Sequence, residues 1–186
     1  NGKKIDKPLK RVGGFVVDMD ALLSNLKHHP RRIRCDGIFE YYPMLSPYKE
    51  KIRNEWLYLP QPYSQEKLGD LEFSVRKKGN LVPIHVDKIT SEDILVNYRI
   101  GDFLEAKNQW RIVDFDYFEI ILSQVKFSRL FLASDNIEHS ILKKFDKYGA
   151  IYQTNPNKFS TMNLIRLFNK IAISQSTYSW WAAYLS

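Results

Sequence analysis

Residues 94–102 read Ile-Leu-Val-Asn-Tyr-Arg-Ile-Gly-Asp, and this stretch decides the fold. Its apolar, partly β-branched run predicts a buried strand over Ile94–Arg99, and Gly101 and Asp102 break it. Downstream, Asp114 precedes a helix near residues 115–125, with Phe118, Ile121, Leu122 and Val125 on one face. Leu130–Ala133 predicts another buried strand. The turn Ser134-Asp135-Asn136 follows, with Asn136 placed to cap a helix over Ile137–Tyr148. Ala150–Tyr152 is a third strand and residues 160–169 a helix. Lys170 leads into a fourth strand, Ile171–Ser174, and Ser176 and Thr177 cap a helix over Tyr178–Leu185. Strands that alternate with helices of about ten residues predict an α/β fold, a parallel sheet with right-handed crossovers and helices on both faces.

Upstream the pattern is looser. Gly13 and Gly14 precede a short apolar strand, Phe15–Val17, and Asp18 or Asp20 caps a helix over Ala21–Leu26. Ile38–Tyr42 reads as a buried strand that Pro43 and Pro47 end. Residues 47–56 read as a helix carrying Tyr48, Ile52 and Trp56 at spacings of four, and residues 60–70 as a loop or linker after Pro60 and Pro62.

The composition bounds the function classes. A chain of 186 residues and 22.0 kDa suits one domain, or one domain plus an attached fragment. Hydrophobic residues at 44% and charged residues at 26% argue against disorder, collagen and low-complexity fibres. The single cysteine, Cys35, excludes a disulfide framework and a multi-cysteine zinc module. No apolar run approaches the roughly 20 residues that span a bilayer, and residues 1–12 do not read as a signal peptide. The expectation is a cytoplasmic globular protein. Its net charge of +7 is uneven, since residues 1–60 hold 12 of the 28 basic and 7 of the 21 acidic side chains. The excess lies in Lys3, Lys4, Lys7, Lys10 and Arg11 and in His28-His29-Pro30-Arg31-Arg32 with Arg34. Such a cluster is either a solvated surface or an attractor of nucleic acid, anionic lipid or phosphorylated ligands. No nucleic-acid-binding motif accompanies it, so no nucleic-acid partner is expected.

In parallel sheets, ligands bind beyond the carboxyl ends of the strands. That rule selects Arg99-Ile100-Gly101-Asp102, Ser134-Asp135-Asn136 and Ser174-Gln175-Ser176-Thr177. Together they offer a cation, backbone and hydroxyl donors and a carboxylate, the set that a nucleoside diphosphate requires.

At these residues the sequence resembles glycosyltransferase family 11, the α-1,2-fucosyltransferases, and more distantly the α-1,6- and protein O-fucosyltransferases. Gly37–Tyr42 with Ile52-Arg53 resembles the "GYFQ…YF…IR" segment, and Val96–Phe103 resembles "HIRRGDY". Phe131–Glu138 resembles "FSDDIEW", and Ile173–Leu185, with its tandem Trp180-Trp181, resembles "ISNSSFSWWGAWL". Asn97 and Ile100 stand where the family has histidine and a second arginine. A glycine-rich opening of the type "GGLGNQMFQY" is absent, Gly13-Gly14 being a faint echo.

The resemblance implies a Rossmann-like, nucleotide-binding half of a GT-B-type enzyme, in a shortened or divergent member. Residues 1–60 would be a partial acceptor-side segment, 61–90 a linker with connecting strands, and 91–186 the GDP-sugar-binding domain. It implies inverting transfer of L-fucose from GDP-fucose to a galactoside of a surface glycan, with no metal and no cofactor beyond the donor. A nucleotide-sugar-binding domain without turnover is the alternative. The partners implied are a nucleotide sugar and a glycan or lipid-linked oligosaccharide. Peripheral contact with the inner face of a membrane would run through the basic amino-terminal third.

Each site residue has a functional and a structural account. The resemblance places Arg99 on the β-phosphate, where a guanidinium grips two oxygens without losing its charge; a salt bridge to Asp102 is the alternative. Asp135 would read guanine or ribose, supported by Ser134 and Asn136, or serve a cap. Asn97 would replace the base-contacting histidine, or be a buried, satisfied amide. Gly101, Ser174, Gln175, Ser176 and Thr177 would bring donors to the pyrophosphate, the last group also capping the final helix. Asp102 is a candidate base for the acceptor hydroxyl, or a turn stabiliser beside Gly101. His85 and His139 lack ligand spacing. Phe39, Tyr41, Tyr42 and Tyr48 either line an acceptor cleft or fill the core, and Trp180, Trp181 and Tyr184 read as core.

Overall fold

The computed structural model describes residues 45–56, 65–105 and 112–186. Chain contacts divide it into two units, residues 1–47 and 48–186, and the account below concerns the second. The elements expected over Phe15–Val17, Ala21–Leu26 and Ile38–Tyr42 lie outside the described residues, as do Cys35 and the His28–Arg34 cluster. Helical turns run through Lys49–Lys51 and Ile52–Trp56, where a helix is expected.

One sheet holds β1 (Phe73–Lys77), β2 (Asn80–Ile84), β3 (Ile94–Tyr98), β4 (Leu130–Ser134), β5 (Ile151–Gln153) and β6 (Lys170–Ile173). Its order is β2-β1-β5-β4-β3-β6. The four strands β5, β4, β3 and β6 are parallel, as the alternation of strands and helices requires. To them is added an antiparallel hairpin, β1 pairing with both β5 and β2. The hairpin turns on Lys78 and Gly79, at φ 49° and 86°. A two-residue turn with both φ positive matches the twist of the strands it joins, and glycine adopts the second position without strain.

The helices are α1 (Gly101–Glu105), α2 (Phe115–Gln124), α3 (Lys158–Ile165) and α4 (Thr177–Tyr184), with a 3-10 segment over Ser140–Tyr148. Side chains of a strand alternate between faces, so β3 and β4 feed two cores. Ile94, Val96, Tyr98, Leu130 and Leu132 meet Phe118 and Leu122 of α2 and Leu142 and Phe145 of the 3-10 segment. Leu95, Phe131 and Ala133 meet Leu164 and Ile165 of α3 and Ala182 of α4. Helices therefore cover both faces. Because β3 is buried throughout, it reads as a continuous apolar run rather than an alternation. Aromatic rings stitch the first core, with centroids 4.7 Å apart for Tyr98–Phe118 and 4.9 Å for Phe115–Phe145.

Two helix starts differ from expectation by two residues or more, the helix expected to run to residue 169 ends at Ile165, and Gln65–Asp70, expected within a loop or linker, forms a 3-10 turn. The segment expected as a helix from Ile137 starts at Ser140, capped by His139 rather than Asn136: the Ile141 N–H donates to His139 Nδ1 at 3.3 Å. The helix expected from residue 160 starts at Lys158. Asn157 caps it, accepting from the N–H groups of Phe159 and Ser160 at 3.0 and 2.9 Å, while Asn157 N–H donates to Ser160 Oγ at 3.0 Å. This reciprocal capping box satisfies donors that the first helical turn leaves without intrahelical partners.

Candidate functional site

Strand register brings the three polar segments together. Tyr98 pairs with Ser134 and Asn97 with Ile173, so Arg99, Asp135 and Ser174 emerge side by side at the carboxyl edge of the sheet. Ser174 extends the ladder, its N–H donating to Asn97 O at 3.0 Å, and its Oγ accepts from Arg99 N–H at 2.9 Å. The backbone that carries the arginine is thus pinned by a buried serine from the neighbouring strand end.

Asp135 accepts from three groups at this edge. Its Oδ1 accepts from Ile100 N–H at 2.8 Å and Gly101 N–H at 3.1 Å, and Oδ2 also lies 3.1 Å from Gly101 N. Oδ2 is 3.1 Å from Arg99 Nε, with the two side chains 24% and 33% exposed. The carboxylate expected on base or ribose is directed back onto the β3–α1 junction. Asn97 is likewise engaged: Nδ2 donates to Ala133 O at 3.3 Å and Oδ1 accepts from the fully buried Ser179 hydroxyl. It bridges β3, β4 and α4 as a satisfied amide.

Beyond these contacts opens a cleft of about 560 Å³. Of the expected residues, Asn97, Arg99, Ser134, Asp135, Ser176 and Thr177 line it. Gly101, Ser174 and Gln175 do not, and the Asp102 side chain lies outside the described residues. Phe103, Pro156, Asn157, Lys158, Thr161 and Tyr178 complete the wall and were not among the expected site residues. Their signal was there: Asn157 followed three residues later by Ser160 is a capping-box pattern, and it sets the start of α3 at the cleft. Two helix amino termini therefore border the space, α3 behind Asn157 and α4 behind Ser176, whose Oγ accepts from Ser179 N–H at 3.3 Å.

Tyr178 ties the two helices by donating to Lys158 O. Burial pushes its phenol up to about 12, against the lowering effects of a Met162 backbone contact and the Arg99 charge. It is a neutral donor at any physiological pH. Trp180, Trp181 and Tyr184 are absent from the cleft wall. Trp180 and Tyr184 stack, with centroids 5.1 Å apart and planes 9° off parallel, Trp181 meets both edge-on, and Lys49 Nζ lies 5.7 Å from the Tyr184 centroid. Tyr184 is buried, but the two tryptophans are only partly so and belong to neither core, which differs from the expectation of core.

Chemically, the cleft wall combines a guanidinium, a lysine, serine and threonine hydroxyls and two helix amino termini, features that suit an anion, with one carboxylate, Asp135. Among the described residues, no three His, Cys, Asp or Glu side chains cluster as metal ligands, and no helix is long and apolar enough to cross a membrane. No curated protein and no solved structure matches the chain. The sequence model of glycosyl transferase family 11, a family of fucosyltransferases, matches residues 65–186. That span holds the whole sheet and every residue of the cleft wall, and leaves out the weaker Gly37–Arg53 likeness. With two-thirds of its length under that match, and the strand-end segments converging on one cleft, the chain belongs to glycosyl transferase family 11.

Proposed function

We propose that the chain transfers L-fucose from GDP-fucose to a galactoside of a surface glycan, with inversion and without a divalent metal. The observation that supports this most is convergence: Arg99, Ser134, Ser176 and Thr177, from three separate strand ends, line one cleft of about 560 Å³, a ligand-pocket size. The diphosphate lies between Arg99 and the amino terminus of α4. The acceptor hydroxyl oxygen attacks the anomeric carbon from the face opposite the diphosphate. The bond from that carbon to the β-phosphate oxygen breaks, and its electron pair stays on the oxygen. Charge grows there, so the arginine contact strengthens towards the transition state, and such differential contacts accelerate a step. The acceptor proton passes to a carboxylate or to water, and Asp102 is the candidate carboxylate. A polar, cationic environment already built around the leaving group does the work that a metal ion would otherwise do.

One observation favours binding without turnover. Ile100, at the family's second-arginine position, is fully buried in the apolar core and presents no charge to the cleft. Calorimetry with GDP, against UDP as control, followed by an assay of GDP release from GDP-fucose with a galactoside such as lactose, tests both. GDP binding with acceptor-dependent release supports transfer. Binding without release, over a panel of galactosides, leaves the binding domain. No GDP binding overturns both.

A further inference from the structure

We propose that Asp135 is a positioning residue, which sets the Arg99 guanidinium and the start of α1 for a diphosphate and does not itself read base or ribose. This rests on the proposed grip of Arg99 on the diphosphate. A carboxylate offers two oxygens and about four lone-pair directions. Here Oδ1 serves the N–H groups of Ile100 and Gly101 at 2.8 and 3.1 Å, and Oδ2 serves Gly101 N–H and Arg99 Nε at 3.1 Å each. Little acceptor capacity remains for a ligand. The contact to Arg99 is through Nε, on the side of the guanidinium fork. The two-nitrogen end is the one that matches a pair of phosphate oxygens. Asp135 therefore holds the arginine by its Nε edge at the cleft wall, and a diphosphate would meet its two-nitrogen end.

Gly101 supports the same conclusion independently. A Cβ at this position would lie 2.8 Å from Asp135 Oδ2, closer than side-chain carbons come to such atoms, and a tight 3.3 Å from its Cγ. The chain lacks a side chain where the carboxylate must approach the backbone. Asp135 in turn satisfies the first amides of α1, which no intrahelical carbonyl reaches. One residue from the end of β4 thus organises the end of β3.

The test compares GDP with GMP, which lacks the β-phosphate, by calorimetry on the wild type, R99A, D135N and G101A, with melting temperature measured for each. In D135N an amide replaces the charge that holds Arg99. In G101A the charge stays but the new methyl displaces it. R99A should collapse the preference for GDP over GMP. D135N and G101A should each lower that preference about tenfold, with GMP affinity within twofold of wild type, since small misplacements of a binding group have large effects. Equal weakening of GDP and GMP in D135N, at an unchanged melting temperature, overturns the proposal and returns Asp135 to base or ribose contact. Unchanged affinities in both variants overturn it too. If D135N fails to fold, G101A alone decides between these outcomes. A wild type that binds no GDP overturns the assignment of the cleft, and this inference with it. GDP binding insensitive to R99A overturns the role of the arginine alone.

Discussion

Replacing Asn97 by alanine separates a structural amide from a ligand-reading one. The side chain is 6% exposed. Its loss removes the 3.3 Å bond from Nδ2 to Ala133 O and the acceptor for Ser179, a hydroxyl with no solvent exposure. A buried donor left without its acceptor costs about 1–3 kcal/mol, and the missing amide volume adds to that. The expected destabilisation is about 2–3 kcal/mol. For a chain of this size each kcal/mol moves the melting temperature about 2–4 °C, so N97A should melt about 5–10 °C lower by calorimetry. The double variant N97A/S179A removes both partners, and paired removal is cheaper than orphaning one. It should recover about 1 kcal/mol relative to N97A. GDP affinity, measured well below the transition, should stay within twofold of wild type. An N97A protein that melts with the wild type yet binds GDP tenfold more weakly would refute this account and make the amide a base contact.

Other outcomes follow from the same coordinates. Arg99→Ala should lower GDP-sugar turnover about 100-fold or more, the scale of losing one preorganised donor at a developing negative charge; survival within threefold in a GDP-release assay would remove the arginine from the mechanism. At the opposite end of the strands, Asp93 is fully buried, and Arg129 reaches it through Nε at 3.0 Å and Nη2 at 2.6 Å. Burial works to raise the Asp93 pKa, but bonds from Arg129 and Thr90 outweigh it and hold the carboxyl below its ordinary 3.8. A depressed carboxyl stabilises the fold above its unfolded value and loses that contribution as pH falls through the folded one. Acid unfolding followed by circular dichroism should therefore steepen below about pH 4. Asp93→Asn should flatten that limb and cost about 2–3 kcal/mol at pH 7, since Arg129 is partly solvated. Burial, then the Asp114 charge, pushes the Tyr98 phenol from 10.0 up to about 12. The folded state thus holds its proton more tightly than the unfolded one, and stability falls as pH rises from about 10 to about 12. Tyr98→Phe should remove about 1.4 kcal/mol of that alkaline loss in urea titrations at pH 8 and pH 11.

The parallel sheet was legible because its strands are buried on both faces. Ile94–Tyr98 and Leu130–Ser134 are long enough apolar runs to read as strands, and the helices between them show a one-sided pattern. The β1–β2 hairpin was legible only as connecting strands. Residues 80–84 alternate with weak contrast, exposed at most positions, and Pro83 interrupts the run. What marks the hairpin is Lys78-Gly79, and a lysine at positive φ carries no signal in a sequence. The stretch Asn136–His139 misled because a short polar turn offers several caps. His139, not Asn136, lies where the backbone enters the helical segment, a choice that packing makes rather than propensity.

The cleft shows where sequence reasoning stops. Parallel neighbours must deliver their carboxyl ends to one edge, so spacing alone put Arg99, Asp135 and Thr177 near one another. Spacing does not say which way a carboxylate turns. Asp135 stands beside two amides with no partners of their own, Ile100 and Gly101, and beside a cation, and a charged acceptor takes such donors before it waits for a ligand. The same logic favours the structural account of Asn97, whose amide bridges Ala133 and Ser179. Residues that sit at a site therefore divide by what they already hold. Asp135, Asn97 and Ser174 hold neighbouring strand ends to one another. Arg99, Lys158, Ser176 and Thr177 border the open space, and the proposed diphosphate would meet them where the first group has placed the strand ends.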